Sequence, residues 1–171
     1  LYLSHFGSDR TSLDWVNTVA LNPANTLNIG LNWSEESGYS YADPAFPDFD
    51  EDRRNRALFA SWRGKFATHT LELSARRDDN SQFDGATTGN AAWGWQASET
   101  FRVRASWGQG FRAPNFNELY YPGFFGLYAG NPALQPERST SAELGFDWLA
   151  SDSQRLGLSV YRTRIRDLIS F

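Results

Sequence analysis

Phe101-Arg102-Val103-Arg104-Ala105-Ser106-Trp107-Gly108 decides the fold: four apolar side chains alternate with two arginines, a serine and a glycine. Strict period-two alternation marks a strand with one apolar and one polar face. The pattern recurs on both sides of this stretch. Leu27, Ile29, Leu31 and Trp33 oppose Asn28, Gly30, Asn32 and Ser34, and Leu71, Leu73 and Ala75 oppose Glu72, Ser74 and Arg76. Further along, Ala142, Leu144, Phe146 and Trp148 oppose Glu143, Gly145 and Asp147. Charges in mid-strand need water or partners. A wide barrel's lumen supplies both, so we expect Arg102, Arg104, Glu143 and Asp147 to face a lumen and Val103, Leu144 and Phe146 to face lipid. The segment Asp14 to Leu21 alternates poorly, and its facing stays open.

Composition narrows the class. No run approaches the roughly 18 apolar residues of a membrane helix, which leaves strands as the only way to span, and a mean hydropathy of -0.54 is compatible with alternating barrel strands. Aromatics reach 16%, with seven Trp, seven Tyr and thirteen Phe. Barrels concentrate such rings in two interfacial girdles, while a soluble β-domain would stack them on sugars; composition alone weighs the two equally. Cysteine is absent, and the formal charge is -4 with the basic residues scattered, so neither thiol chemistry nor a nucleic-acid partner is assigned.

Connections discriminate better. Short turns at Asn22-Pro23-Ala24-Asn25, Gly64-Lys65, Ser98-Glu99-Thr100 and Ser151 to Gln154 alternate with longer connections at Gly7 to Leu13, Glu35 to Asp52, Asp79 to Ala86 and Gly110 to Arg138. Outer-membrane barrels alternate short and long connections in this way, and a sandwich has no reason to. The resulting expectation is all-β: about nine antiparallel strands of an up-and-down transmembrane β-barrel segment. No helix is expected, since Glu51 to Leu58 and Asn115 to Tyr121 lack a paired cap and stop. Continuing the phase of Leu156, Leu158 and Val160 turns Arg162 and Arg164 outward, at about 2 to 4 kcal/mol each at a bilayer midplane and little near an interface. A rim position or a re-phasing bulge is expected there.

Residues for bond chemistry are missing. His5 and His69 stand apart with no triad or metal-ligand context, and no P-loop, G-x-S-x-G or H-E-x-x-H motif occurs. Asp48, Asp50, Glu51 and Asp52, and then Asp78-Asp79, suggest hard oxygen ligands for calcium, but they lack the ordered glycine turn of an EF-hand and read as solvated acidic loops. We assign no catalytic residue, metal site or cofactor.

Ala75-Arg76-Arg77-Asp78-Asp79-Asn80-Ser81-Gln82-Phe83 opens a run that extends through Phe101 to Ser139. Within it stand Phe111-Arg112-Ala113-Pro114-Asn115, then Glu118-Leu119-Tyr120, then Gly130-Asn131-Pro132-Ala133-Leu134-Gln135-Pro136-Glu137-Arg138-Ser139. In order and spacing these pieces resemble the barrel of TonB-dependent receptors, most of all the cobalamin receptors, and the likeness extends more loosely over the whole chain. Each piece also makes local sense. Pro114 removes a backbone donor where a strand leaves the ladder, Pro132 and Pro136 stiffen the connection, and Glu137 and Arg138 re-enter the rim.

That resemblance implies energy-coupled uptake in a Gram-negative outer membrane, with membrane lipid, the TonB-ExbB-ExbD system and a large metal chelate such as cobalamin as partners. A siderophore receptor of the same family is one alternative, and a soluble carbohydrate-binding β-sandwich is another. Tyr120, Tyr121, Phe124, Phe125 and Tyr128 put five aromatics in one connection and are the candidate ligand contacts. The chain opens directly in strand-like alternation, and Asp167 to Phe171 carries no turn signal. The resemblance implies a barrel of about 22 strands with a plug, and residues 1-171 are expected to be part of that barrel, without its plug and closing strands.

Overall fold

A computed structural model describes residues 5–43, 46–123 and 129–170. Eight strands form one antiparallel sheet in sequence order: β1 (His5–Asn22), β2 (Asn25–Asp43), β3 (Phe46–Phe66), β4 (His69–Asn80), β5 (Ala86–Gln96), β6 (Phe101–Arg112), β7 (Glu137–Ser151) and β8 (Gln154–Arg166). Each strand pairs with its neighbours in sequence, which is up-and-down topology, and no second sheet is present among the described residues to complete a sandwich.

Register shows that the sheet is a barrel wall. Asn25, where β2 leaves its turn, lies in one lateral row with Gly64, Leu71, Trp93, Ala105, Leu144 and Val160. Val160 in turn stands six residues above Gln154, where β8 leaves its own turn. Six strand steps therefore accumulate six residues of offset. One residue of about 3.3 Å per strand spacing of about 4.8 Å inclines the strands by about 35°, the tilt at which outer-membrane sheets close.

The apolar face follows the same staircase. Counted from the turn end of each strand, the first polar residue beyond the apolar band is Thr11, Glu35, Arg56, Arg77, Thr87, Gln109, Thr140 and Arg162 for β1 to β8, eight to eleven residues from the turn in every case. A tilted strand crosses a bilayer in about 9 to 11 residues, and an apolar band about 25 Å tall results. Asn17 on β1 interrupts it, and together with Val16 and Ala20 on the opposite face it accounts for the poor alternation there. Rings edge the band near the turns: Trp62 and Phe66 lie 5.9 Å apart, His69 stacks on Trp93 and Trp95 at 5.8 Å, and Phe101 stacks on Phe146 at 6.3 Å.

Three expectations need correction. Among the described residues eight strands replace about nine, because Gly7 to Leu13 lies inside β1 and pairs continuously with β2 from Trp33 to Tyr39, where Ser34 to Gly38 carry no apolar side chain. Glu35 to Asp52 is likewise mostly ladder, extending β2 and β3 past the apolar band. Strands wet on both faces lose the alternation by which they are detected, so the long connections here are long strands. Finally, Asn115 to Tyr121 does contain a helix, α1 (Phe116–Tyr120), with a full capping box in which Asn115 and Glu118 satisfy one another's backbone N–H groups. For Arg162 and Arg164, β8 pairs without a shift from Arg155 to Arg166. No bulge re-phases them, and they occupy the rim.

Candidate ligand-facing site: the polar face and the loop folded over it

Between β6 and β7 the chain folds back over the polar face of β2 and β3. Arg112, the last residue of β6, is the pivot: Nε and Nη2 donate to the two Glu137 carboxylate oxygens, each at 2.9 Å, and Nη1 donates to both Glu118 oxygens at 3.0 Å. Glu118 is buried, and it satisfies the Asn115 N–H as well. Glu137 also accepts from the Ile169 N–H at 2.8 Å. Arg112 and that backbone amide hold the Glu137 carboxyl down at about 2, and the two carboxylates raise the Arg112 guanidinium further above its ordinary value.

Arg53 of β3 completes the anchorage. It donates to the Pro114 carbonyl at 2.7 Å and to Glu36 at 2.5 Å, and its guanidinium lies 5.0 Å above the Phe116 ring. Phe116 fills the space that a Cβ on Gly38 would need, so only glycine there lets the ring seat on the sheet. Leu119 is fully buried, and Gly130 presses against the Leu119, Tyr120 and Tyr121 backbone. Its N–H donates to the Tyr121 carbonyl at 2.7 Å, and the Asn131 N–H donates to the Glu118 carbonyl at 2.8 Å.

The motif residues that sequence reading singles out thus converge on one knot. Phe111 lies under Arg138 at 5.5 Å, Ser139 lies against Gly110, and Ala113 and Pro114 leave the ladder. Asn131 caps the return by accepting from the Ala133 N–H at 3.0 Å, while Pro132, Leu134 and Pro136 line a cleft with Gln82 and Phe83. Tyr120 belongs to the base of this knot: its hydroxyl accepts from Gln82 Nε2 at 2.5 Å, and its ring lies 6.0 Å from Phe49. Tyr121 caps α1. Phe124, Phe125 and Tyr128 lie outside the described residues.

Beneath the loop lies a groove of about 470 Å³ on the polar face, lined in part by Arg10, Asn32, Glu36, Arg53, Arg76 and Asp78. Arg76 binds Asp78 at 2.8 Å and Asn32 at 3.2 Å, and Asn55 donates to Asp78 at 2.8 Å. A second depression of about 310 Å³, nearer the turns, contains Arg63, Glu72, Arg102, Arg104 and Glu143. Arg104 lies flat across Gly145, donating to Asp147 and, at 2.7 Å, to Ser159 of β8, with Glu143 at 3.7 Å. Register sets Arg102, Arg104, Glu143 and Asp147 on this face and Val103, Leu144 and Phe146 on the opposite one.

Sequence reading set Arg76 on the polar face but missed Glu36, Arg53 and Ser159 as residues of that face. Each sits at a polar position of a period-two pattern, but its partner is fixed only by strand pairing. The acidic residues considered for calcium are also placed differently: Asp50, Glu51 and Asp52 lie in the β3 ladder, where successive side chains point to opposite faces, and Asp48 accepts from Ser40 at 3.0 Å. Among the described residues no three acidic or histidine side chains come together as a metal site. His5 stacks on Tyr41, and His69 accepts from Trp93 Nε1 at 3.3 Å.

Comparison with known proteins gives concordant matches. Residues 2–171 match the family model described as TonB dependent receptor-like, beta-barrel. The Vitamin B12 transporter BtuB of Vibrio cholerae serotype O1 is 36% identical over 163 residues, 95% of this chain and 25% of the relative. That of Vibrio vulnificus is 34% identical over 164 residues, 96% of this chain and 26% of the relative. The chain thus spans about a quarter of the length of these relatives. Among solved structures, the siderophore receptor PirA from Pseudomonas aeruginosa is 25% identical with a TM-score of 0.75, covering 94% of this chain and 31% of that one. The copper transporter OprC shares the fold, with a TM-score of 0.76 at 15% identity, over 96% of this chain and 31% of that one.

Proposed function

This chain belongs to the TonB-dependent receptor β-barrel family of the Gram-negative outer membrane, and from that premise we propose that it is one wall of an active-transport receptor for cobalamin or a related large metal chelate. The observation that carries the reading is the 36% identity to a Vitamin B12 transporter along 95% of the chain. The geometry is consistent with it. The apolar face, with Val103, Leu144 and Phe146, lies against lipid. The polar face, with Arg102, Arg104, Glu143 and Asp147, lines the lumen along which a ligand and the TonB-coupled plug move. No bond chemistry belongs to this wall.

In this reading the long-connection end is extracellular, and the loop knotted by Arg112, Glu118 and Glu137 presents its aromatic segment, Tyr120, Tyr121, Phe124, Phe125 and Tyr128, to the arriving ligand. Tyr120 contributes chiefly by fixing the loop base, given its bond to Gln82. Rings are suited to a large chelate with apolar edges because they bury area with little loss of side-chain freedom. A siderophore receptor is the second reading, favoured by the structural likeness to PirA.

Equilibrium binding to the full-length receptor in outer-membrane vesicles separates the two. Saturable binding of cyanocobalamin, undiminished by ferric siderophores, is the expected result. Binding of a ferric siderophore without binding of cyanocobalamin would replace the first reading with the second.

A further inference from the structure

Arg162, Arg164 and Arg166 follow Leu156, Leu158 and Val160 in one unbroken phase of β8, so the apolar face turns basic without leaving the ladder. Arg166 stands directly opposite Arg138 of β7, whose guanidinium lies over the Phe111 ring. Like charges directly opposite on neighbouring strands destabilise the pair. Arginines elsewhere on this face have company: Arg54 meets Glu35 at 2.9 Å, Arg56 is the register partner of Asp79, and Arg77 donates to Thr87 at 3.0 Å. Among the described residues, none of Arg138, Arg162, Arg164 and Arg166 meets a carboxylate.

The position of this cluster points to the anion it would meet. Arg162 is the first polar residue above the apolar band on β8, at the height where lipid headgroups begin, and Leu158, Val160 and Leu144 lie directly below it on the surface that meets acyl chains. Alternate residues on a strand are about 6.6 Å apart, so three guanidinium forks span a headgroup and meet phosphate oxygens bidentately. We propose that Arg138, Arg162, Arg164 and Arg166 form a docking surface for a phosphate-bearing lipid headgroup of the leaflet at the long-connection end of the barrel. This rests on the outer-membrane reading above, in which that leaflet is the external one.

The test uses the full-length receptor in detergent, titrated with diphosphorylated lipid A and with the same lipid stripped of its phosphates, with binding read by native mass spectrometry. Juxtamembrane basic residues are worth about 1 kcal/mol each toward anionic lipid, so replacing three should weaken binding by roughly a hundredfold if they act independently. The expected outcome is that R162Q/R164Q/R166Q loses tenfold or more of the affinity for the diphosphorylated lipid, as judged against about tenfold per 1.4 kcal/mol. The lysine triple variant should keep most of it, and the wild type should bind the stripped lipid as weakly as the glutamine variant does. Affinities equal within about twofold between wild type and glutamine variant overturn the proposal. So does a variant whose lipid-free receptor melts lower while lipid affinity is unchanged, which would assign these arginines to carboxylates of an adjoining strand. Should the glutamine variant not assemble, wild-type binding that is independent of salt overturns it equally. Outer-membrane fractionation of the wild type is scored separately, so a failure of the localisation reading is distinguishable from a failure of this surface.

Discussion

Arg112 and Glu137 face one another across β6 and β7, with two guanidinium N–H groups on two carboxylate oxygens at 2.9 Å each. The pair closes the neck of the loop that covers the polar face, and Glu118 extends it to the helix. Arginine suits this post because one planar fork serves two carboxylates at once, which a lysine ammonium does not do with the same geometry.

Acid should open the neck late. With the folded-state Glu137 carboxyl held at about 2, below the ordinary value of 4.5 that the unfolded chain adopts, its contribution is fully present above about 4.5. It declines progressively below that and is gone once pH has fallen through about 2. Pepsin cleavage within 113–136 of the full-length receptor should therefore stay slow at pH values around 3.5 and rise below about 2.5, bracketing that carboxyl's titration. In Glu137→Gln the onset should disappear and cleavage should be fast throughout. A wild-type onset near pH 4.5 would show that the clamp does not control the neck.

Removal of the buried anchor should be the more damaging change. Glu118→Ala leaves the Asn115 N–H without its acceptor and takes one of two carboxylates from Arg112, at a loss of about 1 to 3 kcal/mol in loop stability. Hydrogen exchange in α1 should quicken accordingly, while the heat-modifiable gel mobility that reports barrel assembly stays as in wild type. Exchange that remains slow would assign the loop's order to Phe116 and Leu119 packing alone.

The strand pairing also explains what was and was not legible in the sequence. Val103 against Arg102 and Leu144 against Glu143 declare their faces because a strand's side-chain period is two, whatever the sheet. Gly7 to Leu13 did not declare itself, since a strand wet on both faces has no apolar partner set to alternate with. Asn115 with Glu118 is a capping-box signature within one turn and was readable, but five residues are too few for a helical period to show. Arg53 with Pro114, and Arg104 with Ser159, bridge residues 61 and 55 positions apart. Only the register brings them together, and nothing local encodes it.

Gly145 offers a direct test of that register. A Cβ there would stand 2.6 Å from Arg104 Nε and 2.8 Å from its Cζ, so Gly145→Ala must lift the guanidinium away from Asp147 and Ser159. Partly exposed ion pairs of this kind are worth about 0.2 to 1 kcal/mol each, and the full-length barrel should melt slightly lower. The decisive measurement is the cycle with Arg104→Gln: the glycine substitution should lose its effect once the guanidinium is gone. Additive losses would mean that Gly145 serves the backbone and not Arg104.

The facing of the wall can be decided residue by residue, since this chain contributes no native thiol to compete with an introduced cysteine. In the full-length receptor, cysteine in place of Arg102 or Asp147 should react with a charged, water-soluble thiol reagent and ignore a lipid-partitioning one. Leu144 and Val103 should show the reverse preference, but not equally. Leu144 is 43% exposed on the apolar face, whereas Val103 is 8% exposed, lying between its lateral partners Trp95 and Phe146. A lipid-soluble reagent should therefore label position 144 readily and position 103 slowly, a ranking that strand alternation alone does not give. Because side chains alternate with a period of two, a slip of one residue would exchange the two faces along the entire strand. Labelling of 144 by the charged reagent, together with protection of 147, would then overturn every facing on β7 and, through its pairing, on β6 and β8 as well.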